Sequence, residues 1–216
     1  MRWLESKSIV EKMKEEDRAA VAALGFAPRL VIVWLGENKL IEVFIRLKKK
    51  YAQEVGVKII EHHLSADLSG NALRAHIRGI VHEPEGQPPN HGLVIQLRLP
   101  EHIDETTVLP GITPEKDVDV LGERALGAFY VGRNPVLPPA VGVVEKILNT
   151  LKFKLSTSRV AIVGLGFLVG KPIATWLTGK CVEIYLLDQG SDLSILKQAD
   201  LVISGVGKSG LINPEM

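Results

Sequence analysis

Residues 159–172, RVAIVGLGFLVGKP, constrain this chain more than any other stretch, because a short β-branched run enters a glycine loop and leaves it at a proline. The run VAIV at 160–163 fits a strand buried on both faces of a parallel sheet. Gly164, Gly166 and Gly170 follow it at GxGxxxG spacing. Glycines let the backbone turn sharply and approach a pyrophosphate, whose charge would rest on the free N–H groups opening the next helix. Pro172 suits a first helical turn, where its missing N–H costs nothing. The loop is one residue longer than GxGxxG, so two readings stay open: a phosphate cradle, or a plain strand-to-helix turn in an α/β domain.

The rest of the chain repeats the strand–helix alternation. Apolar spacing predicts a helix over 6–24, a strand over 30–35, and a helix over 39–55 with Leu40, Val43, Phe44, Leu47, Tyr51 and Val55 on its inner side. Strands over 57–60 and 93–97 flank a helix around Leu73, Ile77, Ile80 and Val81, with a Pro-rich loop at 83–90. Residues 100–139 are interrupted by Pro and Gly, and after a helix at 140–151 the pattern restarts with strands at 160–163, 184–187 and 201–204. This order predicts an α/β protein with largely parallel sheets and a domain boundary near Pro139.

Bulk properties narrow the class. Lys plus Arg number 26 against 25 Asp plus Glu, a net charge of +1 that offers no footprint for nucleic acid or an anionic membrane. One cysteine, Cys181, excludes an intramolecular disulfide and fits a reducing cytoplasm. No apolar run approaches the roughly 20 residues that span a bilayer. His62 and His63 have no third ligand at a metal-binding spacing, so no metal is expected. Gly207-Lys208-Ser209 resembles the end of a P-loop, but Val202 stands where the first glycine is required, so a turn is expected.

Three places carry candidate chemistry. Lys48 sits in a charge run, RLKKK, which reads either as a solvated helix face or as one inward lysine, because Lys48 shares a face with Phe44 and Ala52 while Lys49 turns outward. An apolar wall disfavours the charged form of a lysine and prepares it for proton transfer. Gln96 is an amide within an apolar strand, and Glu115, Lys116, Asp117 and Asp119 are either solvated turn residues or a site.

Taken together, these places resemble the bifunctional methylenetetrahydrofolate dehydrogenase/cyclohydrolases. The family's Tyr-Val-x-x-x-Lys helix ending in Gly-Ile is similar to Phe44-Ile45-Arg46-Leu47-Lys48 ending at Gly56-Val57. Its Val-Gln-Leu-Pro-Leu-Pro corresponds to Ile95-Gln96-Leu97-Arg98-Leu99-Pro100, and its Lys-Asp-Val-Asp-Gly to Lys116-Asp117-Val118-Asp119-Val120. Its Gly-x-Ser-x-x-Val-Gly-x-Pro corresponds to the loop from Gly164 to Pro172. The resemblance implies an N-terminal folate-binding catalytic domain, 1–139, and a Rossmann-like dinucleotide-binding domain, 140–216, incomplete at its C-terminus. It implies Lys48, Gln96 and Asp119 as catalytic residues, with Phe44, Gln96, Leu97 and Asp119 contacting a tetrahydrofolate derivative. It also implies a homodimer.

The departures matter as much. Phe44 replaces a tyrosine, Ile41 a serine, Arg98 a proline and Val120 a glycine, and Leu137-Pro138-Pro139-Ala140 stands for Pro-Cys-Thr-Pro. The family's Pro-Gly-Gly-Val segment is absent, so a C-terminally short member is expected. On the cofactor side, Gly164, Leu165, Gly166, Gly170, Asp188 and Gln189 would form the pocket. Leu165-Gly166 replaces the Arg-Ser that serves a 2′-phosphate, and Asp188, about 20 residues after the loop, is the usual partner of an unphosphorylated ribose, so NAD is expected over NADP. Two alternatives stand beside an enzyme of this family: a non-catalytic relative acting in binding or assembly, and a two-domain dehydrogenase of the shikimate type.

Overall fold

The computed structural model describes residues 4–83 and 88–213. The chain divides into two compact units, Met1–Leu126 and Gly127–Met216.

The first unit opens with helix α1, Ser6–Leu24, and continues through strand β1, Arg29–Leu35, helix α2, Lys39–Val55, strand β2, Lys58–Leu64, helix α3, Gly70–Val81, and strand β3, Gly92–Ile95. The strands form one parallel sheet in the order β2-β1-β3, as helix-linked strands must, since parallel neighbours need a long crossover. Central β1 is buried on both faces. Val31, Val33 and Leu35 pack with Leu73, Ile77, Ile80 and Val81 of α3, whereas Ile32 and Trp34 pack with Ile41 and Ile45 of α2. Helix α2 starts where the Asn38 side chain accepts from the N–H groups of Leu40 and Ile41, and stops at Gly56, whose φ of +91° favours glycine. Helix α1 lies along α2, tied by Lys14 to Glu54 at 2.6 Å and by Tyr51 donating to Asp17 at 2.6 Å.

Three sequence expectations need correcting here. The buried residues of α2 are Ile41, Ile45, Ala52 and Val55, while Leu40, Val43, Phe44 and Leu47 are exposed. The helix carries two apolar stripes, and the smaller-faced one fits the sheet. Strand β2 runs through His62 and His63 because all seven of its residues pair with β1, and an edge position tolerates polar side chains. Strand β3 ends at Ile95, so Gln96 stands just past it, with its N–H still donating to the Val33 carbonyl at 2.9 Å. Of the expected loop at 83–90, residues 84–87 lie outside the described residues and the others form no regular element.

After the short helix α4, Glu105–Val108, and a 3-10 turn, Leu109–Gly111, the division between units falls inside helix α5, Glu123–Tyr130. The second unit then carries helix α6, Pro139–Leu151, strand β4, Arg159–Val163, helix α7, Gly170–Leu177, strand β5, Glu183–Leu187, and strand β6, Leu201–Ser204. Its sheet is parallel in the order β5-β4-β6. Among the described residues no helix is long and apolar enough to cross a membrane.

The glycine loop joins β4 to α7, and its glycines have different duties. Gly164 has a φ of +86°, and a Cβ there would lie 2.5 Å from the Val206 side chain. At Gly170 a Cβ would lie 1.9 Å from the Gly164 carbonyl oxygen, so backbone would have to move. A Cβ at Gly166 would meet nothing within 4 Å. Gly170→Ala should therefore cost about 1–3 kcal/mol by overpacking and lower the thermal unfolding midpoint, while Gly166→Ala leaves it in place. Equal midpoints for the two variants would refute this division of roles.

Candidate active site

The stripe that buries α2 explains Lys48. Ile41, Ile45, Ala52 and Val55 recur at helical spacing, and Lys48 occupies the position between Ile45 and Ala52 on the same face. It is half-buried, whereas Lys49 is exposed and paired to Glu61 at 2.6 Å. The Lys48 Nζ donates to Gln96 Oε1 at 2.9 Å, and Gln96 Nε2 donates to the Leu97 carbonyl at 3.3 Å. The amide is thereby oriented with its oxygen toward the lysine. The next peptide bond, Leu97-Arg98, is cis.

Asp119 joins them through the loop that follows. This loop runs beside β3, with Leu93 N–H donating to the Lys116 carbonyl at 2.7 Å and a parallel bridge between Leu93 and Asp117. Asp117, 1% exposed, accepts from the N–H groups of Leu121 and Gly122, the latter at 2.7 Å. Lys116 Nζ donates to the Val81 carbonyl and to Glu83, each at 2.9 Å. Of the turn cluster, then, Lys116 and Asp117 build the loop. Burial pushes the Asp119 carboxyl above its ordinary range; the positive charge of Lys48 opposes this and Asp117 reinforces it. The structure thus brings Lys48, Gln96 and Asp119 together. Phe44, exposed one turn before Lys48, and Leu97, partly buried, flank them in sequence.

In the second unit a cavity of about 480 Å³ opens at the carboxyl ends of the strands. Gly164, Asp188 and Gln189 line it, joined by Ser191, Val206 and Lys208. Leu165, Gly166 and Gly170 do not line it; Gly170 is buried at the start of α7. Asp188 is exposed, its Oδ1 accepting from the Gln189 N–H at 3.0 Å and its own N–H donating to the Ser191 hydroxyl. Lys208, expected only as part of a turn, also lines this cavity from just beyond β6, at the end of a parallel sheet where ligands bind.

The comparisons decide the family. Residues 4–119 match the catalytic domain of tetrahydrofolate dehydrogenase/cyclohydrolase, and residues 138–216 match its NAD(P)-binding domain. The chain belongs to this family. Bifunctional protein FolD of a Polaromonas species is 33% identical over 200 residues, covering 92% of this chain and 70% of its own length. Among solved structures, the Campylobacter jejuni bifunctional enzyme FolD superposes with a TM-score of 0.85 at 29% identity, over 96% of this chain and 73% of that one. The Trypanosoma brucei dehydrogenase-cyclohydrolase, complexed with NADP and an inhibitor, gives 0.89 at 27% identity, over 98% and 73%. The second unit is the family's Rossmann-like domain, and the shikimate-type alternative falls with this assignment.

The burial of Asp119 has a measurable sign. Its folded carboxyl holds a proton to higher pH than the unfolded one, so the folded state binds more protons and stability falls as pH rises above about 3.9. Asp119→Asn removes that loss: its unfolding midpoint should exceed that of the parent at pH 8 and the gap should shrink toward pH 4. A gap that does not depend on pH would show that Asp119 is not held against its charge.

Proposed function

We propose that this chain oxidises methylenetetrahydrofolate to methenyltetrahydrofolate and hydrolyses the product to formyltetrahydrofolate, with Lys48, Gln96 and Asp119 as the residues that carry the chemistry. The observation supporting this most is the 2.9 Å bond from Lys48 Nζ to Gln96 Oε1, with the half-buried Asp119 within reach of the lysine's charge. In this reading Gln96 fixes the lysine over the reacting carbon, and Lys48 manages the protons when water adds to the methenyl cation. Asp119 accepts from the N–H donors of the pterin, a charge-assisted contact that sets orientation, and Phe44 and Leu97 pack against the ligand. The nicotinamide supplies the hydride acceptor.

The second unit fits such a cofactor: a Cβ cannot be accommodated at Gly164 or Gly170, whereas the space around Gly166 is open to a phosphate. Gly164, Asp188 and Gln189, which line the cavity, would hold it, with Leu165 and Gly166 beside them on the loop that Gly170 closes. We read the preference as NAD over NADP, because exposed Asp188 repels a 2′-phosphate and Leu165 offers it no charge. Lys208, lining the same cavity, works against that preference, so the contrast is expected to be modest. The domain boundary near Pro139, a homodimeric assembly and a cytoplasmic place complete the reading, supported by the family resemblance and the single cysteine.

The test is to supply methylenetetrahydrofolate with NAD or NADP and follow the methenyl product and its decay. Lys48→Met should slow methenyl hydrolysis about 10²–10⁴-fold, the span of one general acid–base group, with folate still bound. Binding without turnover by the parent chain would instead identify a non-catalytic relative. For the cofactor, Leu165→Arg combined with Gly166→Ser should raise kcat/KM with NADP relative to NAD; an unchanged ratio would reject this assignment of the loop.

A further inference from the structure

On the α3 face of the first sheet, opposite the face that α2 covers, the family site leaves a second cavity of about 450 Å³ unused. Arg29 of β1, Ile60 and His62 of β2, and His76, Gly79 and Ile80 of α3 line it, and Glu83 and Asn90 close one side. Two buried polar atoms here have no hydrogen-bond partner from the protein: Arg29 Nε, a donor, and Asn90 Oδ1, an acceptor. Each bears the desolvation cost of a buried polar group left unpaired, which a ligand meeting it would relieve.

We propose that this cavity is a binding site for a small organic monoanion that carries a carboxylate for Arg29, a hydrogen-bond donor for Asn90 Oδ1, and an apolar body for Ile60 and Ile80. The charge pattern sets the class. Glu83 is already neutralised by Lys116 at 2.9 Å, and no carboxylate of the described residues forms an ion pair with Arg29. His62 Nδ1 and His76 Nε2 stand 2.9 Å apart, a contact in which one ring donates and the other accepts. Burial and the neighbouring His76 disfavour the charged form of His62, so Arg29, whose charge also helps hold the Glu83 carboxyl below its ordinary range, is the cavity's positive charge outside the Glu83–Lys116 pair. One guanidinium next to the Glu83–Lys116 pair matches one negative charge and does not compensate two. A guanidinium also suits a carboxylate better than an ammonium would, through its planar fork of donors. With Arg29 at the start of β1 and Gln96 past the end of β3, the site is separate from Lys48 and independent of the proposed reaction.

Titration calorimetry of the full chain with 4-hydroxybenzoate, its uncharged counterpart 4-hydroxybenzamide, and inorganic phosphate tests the proposal. Saturable binding of the benzoate is expected, at least about tenfold tighter than the benzamide, the effect of one charge-assisted hydrogen bond. Arg29→Gln should weaken it by a similar factor while methenyl formation is unchanged. Asn90→Ala, which leaves the guanidinium in place, should weaken 4-hydroxybenzoate more than benzoate, and it decides the matter if Arg29→Gln fails to fold. No saturable binding, binding indifferent to both substitutions, or phosphate bound more tightly than the benzoate would each overturn the proposal.

Discussion

The exclusion of β1 from water on both faces governs the first unit. Val31, Ile32 and Val33 are 0% exposed, so a helix must cover each side, and α2 and α3 take opposite faces. Burial of each such side chain contributes about 1.5–3 kcal/mol, against which no single surface contact competes. The rotation of α2 about its axis is therefore set by Ile41 and Ile45 seating on Ile32 and Trp34. That rotation carries Lys48 inward to Gln96 and leaves Phe44 at the surface beside it. The lysine's place is a consequence of packing several residues away.

The loop after β3 shows how a second group is brought to the same place. Asp117 is fully committed to the N–H groups of Leu121 and Gly122, which frees its neighbour two residues on. Val120, which follows Asp119, has φ +57°, a conformation that costs an L-residue about 1–2 kcal/mol. The side chain is 1% exposed, and its burial offsets that cost, so the turn keeps its course with a valine where the family resemblance has glycine. Asp119 then lies within the field of Lys48, with burial and the lysine's charge acting on its carboxyl in opposite directions.

In the second unit the same economy of backbone appears at the glycine loop. A Cβ at Gly170 would run into the Gly164 carbonyl and one at Gly164 into the Val206 side chain, which fixes the path from β4 into α7. The space beside Gly166 is open, and the cavity wall comes from Val163 and Gly164, from Asp188 through Ser191 and from the turn after β6.

The sequence by itself determined the alternation of strands and helices, the parallel sheets, the boundaries of α1 and α2, and the residue types of the site, because apolar periodicity and Gly or Pro punctuation are local properties. It marked Lys48, Gln96 and Asp119 through a resemblance in motif order. Only the tertiary structure decided which of two apolar stripes on α2 faces the sheet, since Leu40, Val43, Phe44 and Leu47 have the same periodicity as Ile41, Ile45, Ala52 and Val55. It alone separated Asp117 from Asp119, identical in type and two residues apart, by giving one a set of backbone donors and the other a lysine. The place of Lys208 in the cavity wall and the cavity around Arg29 were decided there for the same reason: both cavities are assembled from segments distant in the chain, and their meeting is not a local property.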